Sequence, residues 1–185
     1  PGRPRHVAVI IDGNGRGAEP RAWPRHLGHR AGAKAVRATV EGCARRGVEV
    51  LTIFAFSSEN WQRPQDEVTR LMELFVESID KEVDELHRNG IRVRFVGELS
   101  RLRAVLGAKI AAAEARTAAN QRMTLFIAVS YGGRWDIVQA ARKLAARAVA
   151  GEIKPEAIDE SLLADQLQLA GVPERDLFIR TGGEQ

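Results

Sequence analysis

The chain has 185 residues, of which 44% are hydrophobic and 28% charged, and this composition is typical of one soluble globular domain with a sizeable core. No apolar run is long enough to cross a bilayer, and the single cysteine, Cys43, excludes an internal disulfide and a zinc ribbon. The net charge of +4 favours an anionic partner, but aromatic residues make up only 5% and supply few rings for stacking on bases. We therefore expect a cytoplasmic protein whose anionic partner is not a nucleic acid.

Strand-like and helix-like segments alternate along the whole chain. The pattern predicts strands at residues 6–11, 48–56, 91–96, 123–129 and 177–179. It predicts helices at residues 28–46, 64–88, 102–120, 135–150 and 159–170, the last capped by Asp159 or Ser161. This alternation favours an α/β domain with one mostly parallel sheet flanked by helices, in which ligands bind beyond the carboxyl ends of the strands.

A glycine-rich turn with a single carboxylate, Asp12, follows the first predicted strand. The residues after Asp12 are small, polar or cationic: Gly13, Asn14, Gly15, Arg16 and Gly17, and then Arg25 and His29. Glycine backbone can approach an anion closely, and arginine forks match phosphate oxygens. Asp12 repels an anion unless it holds a hard cation such as Mg²⁺. The turn therefore predicts a diphosphate site with a metal; the alternative is a tight turn with solvated arginines.

Three further polar or glycine-rich turns are expected at the same edge of the sheet. One follows the second strand and holds Ser57, Ser58, Glu59, Asn60, Trp61 and Arg63. The second is the YGGR turn after the fourth strand, and the third is the RTGGE turn that begins at Arg180. Because arginine and glycine recur together in the first and last turns, we expect two anionic groups and hence two substrates.

The long predicted helix carries one apolar face. Its members share helical spacing: Val68, Leu71, Met72, Phe75, Ile79, Val83 and Leu86. Such a face packs into a core or forms the wall of an apolar channel, and periodicity alone leaves both interpretations open.

Taken together, these motifs resemble the cis-prenyltransferases, and most closely the bacterial undecaprenyl diphosphate synthases. The matching segments occur in family order: HVAVIIDGNGR, GHRAG, AFSSENWQRP, YGGRWDI and IRTGGE. The resemblance implies a Mg²⁺-dependent transferase that adds isopentenyl diphosphate repeatedly, in cis, to an allylic diphosphate such as farnesyl diphosphate. The implied product is a long polyprenyl diphosphate such as undecaprenyl diphosphate. The resemblance also implies a homodimer that associates peripherally with the membrane receiving this product.

The resemblance assigns roles to individual residues. Asp12 matches the family's metal-linked aspartate, and the residues matched to catalysis are Asp12, Asn14, Ser57 and Asn60. The residues expected to bind the two substrates are Gly13, Gly15, Arg16, Gly17, Arg25, His29, Ser58, Glu59, Trp61, Arg63 and Arg180, the last of them for isopentenyl diphosphate. The residues expected along an elongated hydrophobic product tunnel are Ala55, Leu71, Phe75, Leu125 and Ile127.

Two features depart from the family pattern. Gly17 stands where the family's motif continues with tryptophan, and the sequence stops at Gln185, before the family's arginine–serine segment. We accordingly expect a single catalytic domain over residues 1–185 without that C-terminal segment. Both departures favour an alternative, a non-catalytic subunit with the same fold, whereas the retained Asp12, Arg25 and Arg180 favour the enzyme. A basic RNA-binding α/β domain is a third alternative, which the scarce aromatic residues disfavour.

Overall fold

A parallel five-stranded sheet forms the centre of the structure, a computed structural model that describes residues 2–10, 25–57 and 65–181. The strands are β1 His6–Ile10, β2 Val50–Ser57, β3 Ile91–Val96, β4 Met123–Tyr131 and β5 Leu177–Arg180, in the spatial order β3-β4-β2-β1-β5. The helices are α1 Arg25–Arg45, α2 Gln65–Arg88, α3 Ala104–Thr117, α4 Gly133–Val149 and α5 Glu160–Ala164. Two short 3₁₀ helices, Leu99–Arg101 and Pro155–Ala157, complete these elements. The predicted fold class, a single parallel sheet flanked by helices, is confirmed.

The inner strands are buried on both faces because their sequences are nearly continuous apolar runs. The β1 sequence HVAVI is buried from its first residue to Val9, and seven of the nine β4 residues are buried. β1 pairs with β2 on one side, from His6 opposite Val50 to Ile10 opposite Phe54, and with β5 on the other. β1 therefore lies inside the sheet, between β2 and β5.

The main hydrophobic core lies between one face of the sheet and helices α1, α2 and α3. The helical side chains that pack there are Val36, Val40 and Ala44 from α1, Ile79, Val83 and Leu86 from α2, and Leu106, Ile110 and Ala113 from α3. Cys43 is partly buried against the same core and burial raises its pKa, which fits the role of a small hydrophobe. For the second half of α2, the predicted apolar face is therefore a core face.

A smaller cluster covers the opposite face. It contains Val50, Val96, Phe126 and Ala128 from the strands, with Leu169 and Val172 from the segment after α5 packed against them. Burial of these groups holds the long connection from α4 to β5 against the sheet. Helices and turns thus cover both faces, as parallel strands require.

The ends of α1 and α5 show how local sequence sets helix boundaries. Gly47 has a φ of 69° and donates its N–H to Ala44, while Val48 donates to Cys43, which is the paired hydrogen bonding of a Schellman motif. At α5, the Asp159 carboxylate accepts the N–H of Leu162 at 2.8 Å, so the predicted aspartate cap is confirmed.

Two predicted helices are shorter in the structure. The last predicted helix, residues 159–170, is helical only over Glu160–Ala164, because the following turns are held by contacts with distant parts of the chain. The predicted helix 102–120 is shorter, Ala104–Thr117, and is preceded by a 3₁₀ turn. At the carboxyl end of this helix, the Thr117 hydroxyl accepts the N–H of Val93 on β3, and the Asn120 amide donates to the carbonyl of Ile91.

The two outer strands are protected to different degrees. Along β3, the N–H of Val93 donates to Thr117 Oγ1 at 3.0 Å and that of Phe95 donates to Glu114 Oε1 at 2.8 Å, so α3 side chains occupy part of this edge. On β5, the side chains of Leu177, Phe178 and Ile179 are 44%, 54% and 40% exposed. Among the described residues, β5 is therefore less buried than the inner strands.

Candidate active site

The carboxyl ends of β1, β2, β4 and β5 lie at one edge of the sheet. Ile10, the last residue of β1, is the register partner of Phe54 on β2 and of Arg180 on β5. Ser57 at the end of β2 is the partner of Tyr131 at the end of β4. The sheet therefore brings together the four starting points of the polar turns that the sequence singled out.

Adjacent strands β2 and β4 send their connections to opposite faces. Helix α2, which follows β2, packs on the face of the main core. Helix α4, which follows β4, is bonded through Asp136 to Tyr131, a member of the cluster on the other face. In parallel α/β sheets, a crevice for ligands forms where neighbouring connections diverge in this way. The strand ends at which the connections diverge are those of Ser57 and Tyr131.

Many of the predicted site residues lie outside the described residues. They are Asp12, Gly13, Asn14, Gly15, Arg16 and Gly17 after β1, and Ser58, Glu59, Asn60, Trp61 and Arg63 after β2. For Arg25, His29 and Ser57 the structure describes the backbone. Arg25 is the first residue of α1, His29 lies one turn further on, and Ser57 ends β2, so all three map to the carboxyl edge of the sheet.

Arg180 is the predicted site residue whose position is best described. It ends β5 with an exposed side chain, beside the last residue of β1. The next residue, Thr181, donates its backbone N–H to the Ile10 carbonyl at 3.1 Å and its hydroxyl to the same oxygen at 3.4 Å. Since Asp12 lies two residues beyond Ile10 in the sequence, the backbone brings the predicted metal-linked turn and the predicted arginine to neighbouring strand ends.

The β2–β4 pair becomes irregular as it approaches this edge. Its register shifts between Phe54 and Phe56 and again between Phe56 and Ser57. On the facing strand, Ser130 is fully buried and has a φ of 52°, an unusual conformation for a residue other than glycine. Bulges and positive φ values concentrate at functional sites, where they redirect side chains. The prediction that β4 ends at Val129 missed this irregular extension to Tyr131.

A buried carboxylate holds the turn that follows β4. Asp136, in the first turn of α4, is 2% exposed and accepts the Tyr131 hydroxyl proton at 2.9 Å. It also accepts the backbone N–H of Gln168 at 3.3 Å. Burial, together with this hydrogen bond to the carboxylate, raises the pKa of Tyr131 to about 12. The Tyr131 ring packs edge-on against Phe54, with centroids 5.8 Å apart.

The same network reaches the end of β3. The Gln168 side chain accepts the N–H of Gly97 and donates to the Gly97 carbonyl, so it bonds both backbone groups of one residue. Gly97 has a φ of 118°, and a Cβ there would lie 1.8 Å from the Val129 carbonyl oxygen, so no side chain fits. The YGGRWDI segment belongs to the family resemblance, but no role was predicted for Tyr131 or Asp136. An aspartate in the first turn of a helix is common, because it complements the helix dipole, and therefore gave no signal.

The described tunnel residues lie in the main core. Leu125 and Ile127 on β4 are 3% and 5% exposed and pack in the cluster that α1, α2 and α3 cover. For Ala55, Leu71 and Phe75 the structure describes the backbone, on β2 and on the first half of α2. The structure does not show an open tunnel among the described residues, so the tunnel stays a prediction.

A cavity of about 250 Å³ lies at the opposite, amino-terminal edge of the sheet. It is lined by the ends of α1 and α2 and by residues beside β3 and β4: Val40, Glu41, Ala44, Arg45, Glu82, Glu85, Leu86, Asn89, Ile91 and Arg122. Its wall is mixed in charge, and Arg37 in the same helix pair already bridges Glu82 and Glu85. This cavity is remote from the carboxyl edge and has no part in the candidate site.

The described residues contain neither a metal-binding cluster nor a membrane-spanning helix. No three His, Cys, Asp or Glu side chains converge as metal ligands in this part of the chain. No described helix combines the length and the apolar character needed to cross a membrane. Asp12, the predicted metal-linked residue, lies outside the described residues.

Known proteins resemble this chain over nearly its whole length. The sequence matches, over residues 10–185, the prenyltransferase family model described as "Putative undecaprenyl diphosphate synthase". It is 58% identical to the ditrans,polycis-undecaprenyl-diphosphate synthase ((2E,6E)-farnesyl-diphosphate specific) of Xanthomonas axonopodis pv. citri, across 98% of this chain and 70% of that protein.

Solved structures agree with the sequence match. The crystal structure of lavandulyl diphosphate synthase from Lavandula x intermedia, in complex with dimethylallyl diphosphate, superimposes with a TM-score of 0.89 at 37% identity and covers 98% of this chain and 79% of that one. A probable undecaprenyl diphosphate synthase from Campylobacter jejuni gives a TM-score of 0.78 at 30% identity, covering 100% of this chain and 78% of that one. With the parallel sheet and the polar carboxyl edge described above, these matches identify the chain as a member of the undecaprenyl diphosphate synthase family of prenyltransferases.

Proposed function

We propose that the protein is a transferase that condenses isopentenyl diphosphate onto farnesyl diphosphate and produces undecaprenyl diphosphate. One observation carries this proposal: relatives at 48–58% identity over 97–99% of the chain are named ditrans,polycis-undecaprenyl-diphosphate synthases. Because the names of these relatives specify farnesyl diphosphate, we take it as the allylic starter here.

The reaction breaks the bond between the allylic carbon and its diphosphate. The double bond of isopentenyl diphosphate attacks the cation-like carbon, a carbon–carbon bond forms, and a proton leaves the adjacent carbon. Cationic groups stabilise the departing diphosphate, and apolar walls keep water away from the reactive carbon. No nucleophilic side chain is required, which agrees with a site built from arginine, glycine and one carboxylate.

The two diphosphates are assigned to neighbouring strand ends. The allylic diphosphate binds in the turn after β1, where Arg16 and Arg25 supply charge and the glycine backbone supplies N–H donors. Isopentenyl diphosphate binds at Arg180, at the end of β5. The pairing of Ile10 with Arg180 supports this assignment, because the two strand ends to which the substrates are assigned are neighbours. Asn14, Ser57, Asn60 and His29 are proposed to orient the substrates at this edge.

Mg²⁺ is the proposed cofactor, held by Asp12 and by diphosphate oxygens. A single carboxylate with substrate phosphates is the ligand set that Mg²⁺ commonly takes, since it retains several waters. When bound, Mg²⁺ neutralises charge on the leaving diphosphate. Asp12 would hold the metal, and Arg25 would add positive charge for the diphosphate.

The growing chain is proposed to run along the face of the sheet that α2 and α3 cover. Leu125 and Ile127 point into that apolar layer, and α2 runs from the carboxyl edge back towards the amino edge. We also infer that residues 1–185 form one catalytic domain, because β5 returns to pair with β1. A homodimer, a cytoplasmic location and peripheral contact with a membrane through the product stay predictions.

The experiment is an incubation of the protein with farnesyl diphosphate, labelled isopentenyl diphosphate and Mg²⁺, with a chelator as control. The products are extracted and sized by chromatography. We expect long, Mg²⁺-dependent polyprenyl products. Arg180→Ala should raise the KM for isopentenyl diphosphate, whereas Arg142→Ala, which removes an exposed arginine of α4, should not. Absence of product from the wild-type protein would contradict the proposal.

The non-catalytic subunit is not favoured, because the relatives carry the names of synthases. The same incubation also tests this alternative, since product formation by the purified protein alone contradicts it. Competition for binding by farnesyl diphosphate, but not by an oligonucleotide, would argue against the RNA-binding alternative.

The effect of Gly17 is tested by Gly17→Trp, which restores the family's residue.

A further inference from the structure

The strand that carries Arg180 pairs with a single neighbour, β1, among the described strands. Its four residues are exposed among the described residues, and the Phe178 ring lies 6.3 Å from that of Phe54. The hydrophobic pattern specifies the register of a strand where one of its faces is buried. The proposed site needs Arg180 at a fixed position beside Ile10. Polar contacts at the start of β5 therefore bear on its register.

Asp176, immediately before β5, supplies the first of these contacts. Its Oδ2 accepts the backbone N–H of Arg5 at 2.7 Å and that of His6 at 2.9 Å. Its own N–H donates to the His6 carbonyl at 3.0 Å. These hydrogen bonds lower the pKa of Asp176, so the carboxylate is ionised at neutral pH. One side chain therefore ties the start of β5 to the start of β1.

The His6 ring supplies the second contact. It is 1% exposed, and its Nδ1 donates to the Pro173 carbonyl at 2.7 Å. Its Nε2 lies 2.8 Å from the Thr52 hydroxyl, which donates to it when the ring is neutral. Burial lowers the pKa of His6 and so favours that neutral form. The ring fixes the chain three residues before Asp176 to β1 and β2.

These contacts determine how far β5 extends along β1. In a parallel pair, a slip of two residues keeps each side chain on its face but moves it by about 6.6 Å along the strand. A slip of that size would carry Arg180 away from its partner Ile10 and would break the Asp176 and His6 contacts. The hydrogen bonds at the amino end therefore set the position of the arginine at the carboxyl end.

We propose that Asp176 and His6 are positioning residues for the isopentenyl diphosphate site, acting through the register of β5 on Arg180. We call these two side chains and their contacts the β5 clamp. The inference rests on the proposed function, since it assigns Arg180 to isopentenyl diphosphate. Neither side chain of the β5 clamp touches substrate, because both lie at the amino-terminal edge of the sheet.

The first test replaces Asp176 and measures both Michaelis constants. Asp176→Ala should raise the KM for isopentenyl diphosphate about tenfold, the factor that the loss of one charge-assisted hydrogen bond supplies. The KM for farnesyl diphosphate should change less than about twofold, since β1 keeps its pairing with β2. Asp176→Asn keeps an acceptor oxygen and should recover part of the affinity. Glu174→Ala, which removes an exposed carboxylate two residues earlier, is the matched control.

The second test separates the two contacts of the His6 ring. His6→Asn places an amide near Nδ1 and keeps a donor for Pro173, whereas His6→Gln places it near Nε2 and keeps a partner for Thr52. Only His6→Gln should raise the KM for isopentenyl diphosphate. Thr52→Val removes the other ring contact and should lower the melting temperature without changing that KM. A purely structural role would make all three variants alike.

A third measurement reports on β5 without using activity. Amide hydrogen exchange of residues 177–180 should be faster in Asp176→Ala than in the wild-type protein, with unchanged exchange in β4. Equal rises in both Michaelis constants, or unchanged exchange in β5, would overturn the inference. A wild-type protein that forms no product contradicts the proposed function instead, so the two failures are distinguishable.

Discussion

The hydrogen bond between Tyr131 and Asp136 gives a prediction that stability and spectroscopy test independently. Tyr131→Phe removes the hydroxyl that donates to the Asp136 carboxylate, which is 2% exposed and still accepts the Gln168 N–H. We expect the variant to fold and to be less stable than the wild-type protein. The physical reason is the loss of a hydrogen bond to a buried charge.

The expected loss follows from the strength of this hydrogen bond. A hydrogen bond to a charged group contributes about 1.5–3 kcal/mol. A loss of about 2 kcal/mol would lower the melting temperature of a domain of this size by about 4–8 °C.

The same interaction predicts a pH dependence. The folded state holds the phenol proton more tightly than the unfolded state, because the folded pKa of about 12 exceeds the ordinary value of 10. The stabilisation is therefore complete below pH 10 and is lost as the pH rises towards 12. In Tyr131→Phe this loss should be absent.

The assay uses the fact that the chain contains one tyrosine, so tyrosinate absorbance reports Tyr131 alone. The protein is titrated in the folded state and in urea, and urea unfolding is followed for wild type, Tyr131→Phe and Asp136→Asn. In Asp136→Asn, the pKa of Tyr131 should fall towards its ordinary value. The reasoning is refuted if Tyr131 titrates near 10 in the folded wild-type protein and Tyr131→Phe unfolds at the wild-type urea midpoint.

Three further substitutions test the fold and the site. Gly97→Ala should lower the unfolding free energy by about 3 kcal/mol or more, because the new Cβ would overlap the Val129 carbonyl at a φ of 118°. Denaturant unfolding, or loss of folded protein, measures this effect. A variant as stable as the wild-type protein would contradict the geometry. Asp159→Ala should cost about 1 kcal/mol through loss of the cap on Leu162, with Asp159→Asn as the control that retains an acceptor. Arg180→Ala should raise the KM for isopentenyl diphosphate at least about tenfold. Its melting temperature should stay within about 2 °C of the wild-type value, because the Arg180 side chain is exposed. An unchanged KM would show that Arg180 is not part of the site.

Much of the sheet was predictable because hydrophobic pattern and turn residues agreed. β3 was predicted to the residue, since a run of alternating apolar residues lies between Asn89-Gly90 and Gly97. The overlong prediction for α5 has a tertiary cause. Gln168 bonds Gly97 and Asp136, so residues after Ala164 form turns although their spacing suits a helix.

The candidate site was predictable where a residue type is rare in its position and not where it is common. A lone aspartate amid glycine and arginine after a buried strand indicates chemistry, and so does an arginine followed by two glycines at Arg180. Asp136 gave no such signal, because its role depends on Tyr131 and on the segment around Gln168, which is distant in sequence. His6 was read as part of a buried strand, and its contact with Pro173 likewise appears only in three dimensions.

The two proposed diphosphate-binding regions lie at the ends of strands β1 and β5, which differ in burial. β1 lies between β2 and β5, and its residues Val7 to Val9 are buried, so apolar burial fixes the strand that precedes the turn proposed for the allylic diphosphate. β5 is exposed and is held at its start by Asp176 and the His6 ring. Burial is non-directional, whereas hydrogen bonds depend on distance and angle. Polar substitutions remote from the site should therefore weaken the binding of isopentenyl diphosphate before that of the allylic substrate.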